Sequence, residues 1–142
     1  ERRILFETTG VQQSSASKVL DANRLLDIQT LVRRIPVGKS VVDAILELVR
    51  SARPGSANTK HEEYISWGPG PRAAQALMLA VRAHALLDGS GRDVPTEADV
   101  YRLAEPILKH RMELTYAAKA ESVTLTDVIA ELVEAQKARK AA

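Results

Sequence analysis

Residues 68–87 read Gly-Pro-Gly-Pro-Arg-Ala-Ala-Gln-Ala-Leu-Met-Leu-Ala-Val-Arg-Ala-His-Ala-Leu-Leu, and this stretch sets the fold class. From Pro71 to Leu87 almost every residue is Ala, Leu, Met, Val or Gln. Ala73, Ala76, Leu77, Ala80, His84 and Leu87 recur at the i, i+3, i+4, i+7 intervals of one helix face. The apolar character is broad enough to predict burial on more than one side, as the middle member of a small bundle requires. Gly70 serves as cap and Pro71 stands at the first helical position, where its missing N–H costs nothing. Asp88-Gly89-Ser90-Gly91 stops the helix.

Working outward, the same period predicts two helices upstream. One runs from about Asp21 to Pro36, with Leu25, Ile28, Val32 and Ile35 on one stripe and Asp27, Arg33 and Arg34 off it. The other runs from about Lys39 to Arg53, turning Val42, Ile45, Leu48, Val49 and Ala52 inward until Pro54-Gly55-Ser56-Ala57-Asn58 breaks it. Downstream, Thr96-Glu97-Ala98-Asp99 has the form of a capping box with Asp in the Glu place, opening a helix that uses Val100, Leu103, Ile107 and Leu108. Pro106 removes the hydrogen bond to the Arg102 carbonyl and predicts a bend or break near that turn. Met112, Leu114 and Tyr116 alternate with Glu113 and Thr115, a short extended signal. Thr124-Leu125-Thr126-Asp127 repeats the cap chemistry before a last helix through Val128, Ile129, Leu132 and Val133. The expectation is an all-α fold: a small helical bundle with a short extended segment and a C-terminal helix. At the other end, Glu1–Thr9 reads as a helix whose beginning is missing and which stops at Gly10. Residues 11–20 read as a linker, with residues 21–142 as one helical domain. A start at Glu1 without methionine predicts a piece of a longer protein.

Composition narrows the chemistry. The chain has 142 residues, 45% hydrophobic and 27% charged, which is globular composition. It has no cysteine, which removes disulfides, thiol catalysis and thiolate zinc sites, and fits a reducing cytoplasmic setting. Twenty Lys plus Arg against eighteen Asp plus Glu leave +2, short of the concentrated basic charge of most nucleic-acid binders. No apolar run approaches the 18 residues that a membrane span needs.

Three motifs invite function. Val37-Gly38-Lys39-Ser40 resembles the end of a phosphate loop, but Arg33 occupies the required first glycine, a helix precedes it instead of a strand, and Pro36 removes a backbone donor. A helix junction is the better account. His61, His84 and His110 share no metal-ligand spacing, and Lys109-His110-Arg111 is a basic cluster where cations suit a helix C-terminus. Arg72 is the sharper signal, because a cation in the first turn of a helix is electrostatically misplaced unless an anion meets both it and the helix end. It either binds phosphate, pairs with Glu62 or Glu63, or points to solvent. Trp67 reads as a core anchor for the loop before Arg72, with adenine stacking as the alternative.

Several segments in order then resemble a known family. Tyr64-Ile65-Ser66-Trp67-Gly68-Pro69-Gly70-Pro71-Arg72-Ala73, Gly91-Arg92-Asp93, Thr96-Glu97-Ala98-Asp99-Val100 and Leu103-Ala104-Glu105-Pro106-Ile107-Leu108-Lys109-His110-Arg111 resemble the C-terminal lid of MoxR-type AAA+ ATPases. Arg3-Ile4-Leu5 through Thr8-Thr9-Gly10 resembles the end of that family's last core helix, which assigns residues 1–10 to the core. Gly70 stands where the family usually has a Ser cap, Pro69 where it has a small residue and Trp67 where it has an aliphatic one, and Ser90-Gly91 lengthen the turn before Arg92.

The resemblance implies that Arg72 is the sensor-2 arginine, acting in catalysis on ATP, with Gly70, Pro71 and Arg72 at the nucleotide. It implies ATP and Mg²⁺ in the full-length protein, with neither held by this fragment alone. The fragment lacks a phosphate loop, a Walker B carboxylate pair and Mg²⁺ ligands, so it is expected to be inactive by itself. Implied partners are the chain's own AAA+ core, further copies in a ring homo-oligomer and a remodelled protein, in the family often a von Willebrand factor A-domain protein. From another class, the alternative is a stand-alone helical module binding protein or nucleic acid through Arg33, Arg34, Lys109, Arg111, Lys137, Arg139 and Lys140.

Overall fold

The computed structural model describes residues 1–10, 17–56 and 62–141. Residues 11–16 of the expected linker, His61 and the end of the 54–58 loop lie outside them. The described residues form α1 (Arg2–Thr9), α2 (Ala22–Arg34), α3 (Lys39–Ser51), β1 (Ile65–Trp67), α4 (Pro71–Leu87), α5 (Glu97–Leu108), β2 (Glu113–Leu114), α6 (Tyr116–Ala120) and α7 (Leu125–Ala141), with single 3₁₀ turns at Glu62–Tyr64 and Lys109–Arg111. The fold is all-α apart from one antiparallel strand pair. Two compact units divide within α2, Glu1–Leu31 and Val32–Ala142.

In the larger unit α4 is central, packed against α3 and α5, while α7 packs on α5 and α3. Its bounds, Pro71–Leu87, match the periodic stretch. Ala73, Leu77, Val81 and Ala85 are buried along one side, and Ala74 and Met78 are half-buried on the next, so one helix serves two neighbours. Leu87, expected on the inward face, is exposed, because it lies in the last turn where α4 leaves the core. On α3 the buried row is Val41, Ala44, Ile45, Leu48 and Val49, with Val42 only half-buried. The inward face therefore sits partly one residue earlier than periodicity placed it.

No residue of α2 is buried, and Leu25 and Ile28 are exposed; only Ile35, past the helix end, enters the core. Amphipathic spacing reports a face able to be buried, not the surface that buries it.

Pro106 lies inside α5, which ends two residues later and tightens into the 3₁₀ turn at Lys109–Arg111. The helix thus ends after the proline and not at it, although the Arg102 carbonyl loses the N–H that residue 106 would have donated. The extended segment is β2, and its partner β1 pairs Ile65 with Leu114, both buried in the core. Tyr116 leaves the alternation and opens α6 instead, because the Thr115 hydroxyl caps that helix by accepting from Ala118 N–H.

Candidate functional site

The segment from β1 to the first turn of α4 is held from behind. Gly68 approaches the end of α3 so closely that a Cβ there would lie 2.6 Å from the Ala52 carbonyl oxygen and 2.7 Å from Arg53 Cα. Only glycine allows that contact, which is one of backbone with backbone. Pro69 is fully buried, and Arg53 Nε–H donates to its carbonyl at 3.3 Å. The chain then emerges at Gly70, an extended N-cap without a side-chain cap, and Pro71 begins α4.

Gly70, Pro71 and Arg72 are all exposed. Pro71 has no N–H, and the Ala73 N–H turns back onto the Gly70 carbonyl at 2.9 Å. What this end offers is therefore chiefly the Arg72 guanidinium with its own N–H. Among the described residues, Arg72 makes no hydrogen bond and no ion pair with any carboxylate, Glu63 included. Such a group can meet an anion without first giving up a partner.

Trp67 is 70% exposed, which overturns its reading as a core anchor. The register between β1 and β2 shifts between Ile65 and Trp67, and that irregularity turns the indole outward while Ile65 keeps the inward place. Ile65 and the buried Pro69 anchor the loop in its stead.

A second constellation stands at the other end of α4. Arg92 donates from Nε to Ser90 Oγ at 2.9 Å, from Nη1 to Asp99 Oδ2 at 2.8 Å and Thr96 Oγ1 at 3.3 Å, and from Nη2 to Asp99 Oδ1 at 3.1 Å and to Asp88. Asp99, only 3% exposed, also accepts from the Thr96 backbone N–H at 2.6 Å, the return half of the capping box, and from His84 Nδ1–H at 3.0 Å. The Arg92 guanidinium holds the Asp99 carboxyl well below the usual carboxylate range, with the Thr96 bonds adding to it against the opposing effect of burial. Hydrogen bonds from Ser90, then Arg92, bring Asp88 down to about 2. Arg92 in turn is pushed up by Asp99 and Asp88.

His84, Asp88 and Asp99 offer ligand atoms within 4.8 Å of one another. A guanidinium bonded to both carboxylates already supplies the positive charge a metal ion would bring, so this cluster is an internal ion network. Sequence reading saw Asp99 only as a cap and Arg92 only as part of a turn. Asp88, Ser90 and Arg92 at i, i+2 and i+4, just before a capping box, are the signal that links them. The Gly68 and Arg53 contacts have no comparable local signature.

The other basic and histidine motifs resolve into local structure. Gly38 is the extended N-cap of α3, as a helix junction requires. Lys109 pairs with Glu105 at 3.0 Å and donates to Thr126 Oγ1 on α7 at 3.0 Å, tying α5 to α7, and Arg111 donates to the Ile107 carbonyl at its own helix end at 2.7 Å.

Comparison with known proteins gives the domain's family. The AAA lid domain family matches residues 57–132, more than half of the chain. Chaperone MoxR1 of Mycobacterium tuberculosis is 29% identical over 138 residues, covering 94% of this chain and 35% of that protein. A Bacillus subtilis protein, YeaC, is 31% identical over 110 residues, covering 78% of this chain and 32% of its own. A protein from Cytophaga hutchinsonii assigned as an ATPase superimposes with a TM-score of 0.82 at 26% identity, over 94% of this chain and 41% of that one. The chain thus spans about a third of the length of the curated relatives it matches. With a central helix entered through Gly-Pro-Gly-Pro-Arg and left through an arginine-centred turn, the chain belongs to the AAA lid domain family and is of the MoxR type.

Proposed function

We propose that this domain is the lid over an ATP site in a MoxR-type AAA+ ATPase, with Arg72 as the sensor-2 arginine. The single observation that carries the reading is an arginine in the first turn of the central helix, exposed, without a partner among the described residues, and braced from behind by the Gly68 contact. A guanidinium placed beside a helix N-terminus suits an anion such as a phosphate, since each alone repels cations and together they favour a multiply charged anion.

Arg72 would hold a phosphate oxygen of ATP, with Gly70 and Pro71 leaving the approach clear of side-chain bulk at the cap. Bound ATP with Mg²⁺ supplies the transferable phosphoryl group and its charge compensation. Mg²⁺ and the attacking water would be held by the core domain, so the lid alone does not turn over ATP. In this reading residues 1–10 end the core's last helix, 11–20 connect, and 21–142 form the lid. Hydrolysis moves the lid against the core in a ring of like subunits in the cytoplasm, and the motion remodels a partner protein, with a von Willebrand factor A-domain protein as the first to try.

The test is ATP hydrolysis by the full-length parent, native against Arg72→Ala, with nucleotide affinity measured alongside. A fall of tenfold or more with nucleotide still bound is the expected result, since it places the arginine on charge that develops during transfer. Unchanged hydrolysis overturns the assignment.

A further inference from the structure

Between α3 and α4 runs an open groove of about 620 Å³. Val42 and Leu46 from one helix and Ala74, Met78 and Leu79 from the other make its floor apolar, and all five keep part of their surface open. From Ala74 to Arg82 the α4 side runs about 12 Å at 1.5 Å per residue, a length that seats roughly two turns of helix. Met78 near its centre is a flexible, polarizable side chain that adapts to varied apolar shapes.

The charges that border this groove are cationic. Arg33 lines it and is exposed. Arg82, one turn beyond Met78 and Leu79, is half-buried, and its Nε–H is buried without an acceptor. Lys39 stands one turn before Val42 on α3. Among the described residues none of these three cations has an ion pair. On the α5 and α7 side Lys109, Lys137 and Lys140 are paired with Glu105, Glu134 and Glu97, while Arg102 has no ion pair among the described residues. Of the acids on α3, Glu47 is engaged by Arg139 at 3.1 Å, and Asp43 lines a separate hollow with Arg50 and Arg139.

We propose that this groove docks an amphipathic helix of a partner protein, seating an apolar stripe on Leu46, Met78 and Leu79 with an acidic flank against Arg33 and Arg82. This goes beyond the nucleotide reading and does not depend on it. The mode is helix-in-groove recognition, in which apolar anchors at i, i+3 or i+4 and i+7 give affinity and flanking charge gives orientation. An acidic flank brings opposite charge to Arg33 at the groove and to Arg82 one turn beyond it. The floor has no aromatic side chain to stack a base, which disfavours nucleic acid. A second copy is disfavoured by sign, because the exposed α2 stripe of Leu25, Ile28 and Leu31 is accompanied by Arg24, Arg33 and Arg34, like charges to the rim.

The experiment is selection of 16-residue peptides from a random display library on the immobilised chain at physiological salt. Affinities of the enriched peptides are then measured by fluorescence anisotropy. Expected are sequences with apolar residues at helical spacing and an excess of Asp and Glu, whose binding weakens tenfold or more with Leu79→Asp and with Arg33→Glu. Arg33 is exposed, so that variant decides the matter if Leu79→Asp lowers the melting temperature. The proposal is overturned by no enrichment, by enriched peptides indifferent to both substitutions, or by a basic consensus. It is equally overturned if duplex DNA competes for the groove, or if the chain forms a dimer that Leu79→Asp dissolves.

Discussion

The two ends of α4 carry the same residue type in similar loops and use it in opposite ways. At the C-terminal end, Asp88-Gly89-Ser90-Gly91 leads to Arg92, whose five N–H groups meet Ser90, Thr96, Asp88 and both oxygens of Asp99. At the N-terminal end, Gly68-Pro69-Gly70-Pro71 leads to Arg72, which meets no carboxylate among the described residues. The glycines differ in the same sense. Gly89 and Gly91 take φ of +71° and +73°, so their turn exists through left-handed backbone, whereas Gly68 is needed for the room it leaves. An arginine neutralised inside the fold ties elements together, and one left without a partner is available to a ligand. Location in a glycine-rich loop does not distinguish the two cases; the surrounding acceptors do.

The largest effect on that contrast is expected from Asp99→Ala. It removes one side of a capping box and leaves Arg92 and His84 facing a vacated site. Breaking a buried pair costs 3–5 kcal/mol in general; with Arg92 about one-third exposed, about 2–3 kcal/mol is expected here, read as a lower urea midpoint. A loss under about 0.5 kcal/mol, the scale of an ordinary surface change, would break the claim that this end is architectural. Next comes Gly68→Ala, whose Cβ must displace backbone on both sides, at about 2 kcal/mol by the same measurement. In the full-length parent it should also depress hydrolysis, because Arg72 moves with the loop.

Acid gives a third probe. Asp88 at about 2, and Asp99 well below its usual range, are both depressed relative to 3.8. Their contribution is therefore complete above about pH 5, shrinks as pH falls through the ordinary carboxylate value, and is gone once pH passes below the folded values. The urea midpoint of the native chain is expected to drop across this window, and Asp99→Asn to flatten the drop. An equal slope in both proteins would show that the acid sensitivity lies elsewhere. The smallest effect on stability is expected from Arg72→Ala, within about 0.5 kcal/mol, as for other surface positions without partners.

How far these ends were legible in the sequence follows the range of the forces involved. The bounds of α4, the cap at Thr96 and the extended segment at Glu113–Leu114 rest on neighbours within a turn or two, so periodicity and cap chemistry revealed them. The place of Arg72 at the start of α4 was legible for the same reason. Trp67 was misread because its exposure depends on a contact distant in sequence: a register shift against β2 turns the indole outward. The Gly68 contact with Ala52 and Arg53 was equally hidden, since it joins residues 15 and 16 positions apart through backbone atoms that carry no compositional signal.

The most direct test compares Arg72→Ala and Arg92→Ala in the full-length parent, recording the melting temperature and ATP hydrolysis of each at a temperature where both are folded. The account predicts a tenfold or greater loss of hydrolysis with an unchanged melting temperature for Arg72→Ala, and a lowered melting temperature for Arg92→Ala. An Arg72→Ala protein that hydrolyses ATP at the native rate, or loses activity only in step with stability, would contradict it.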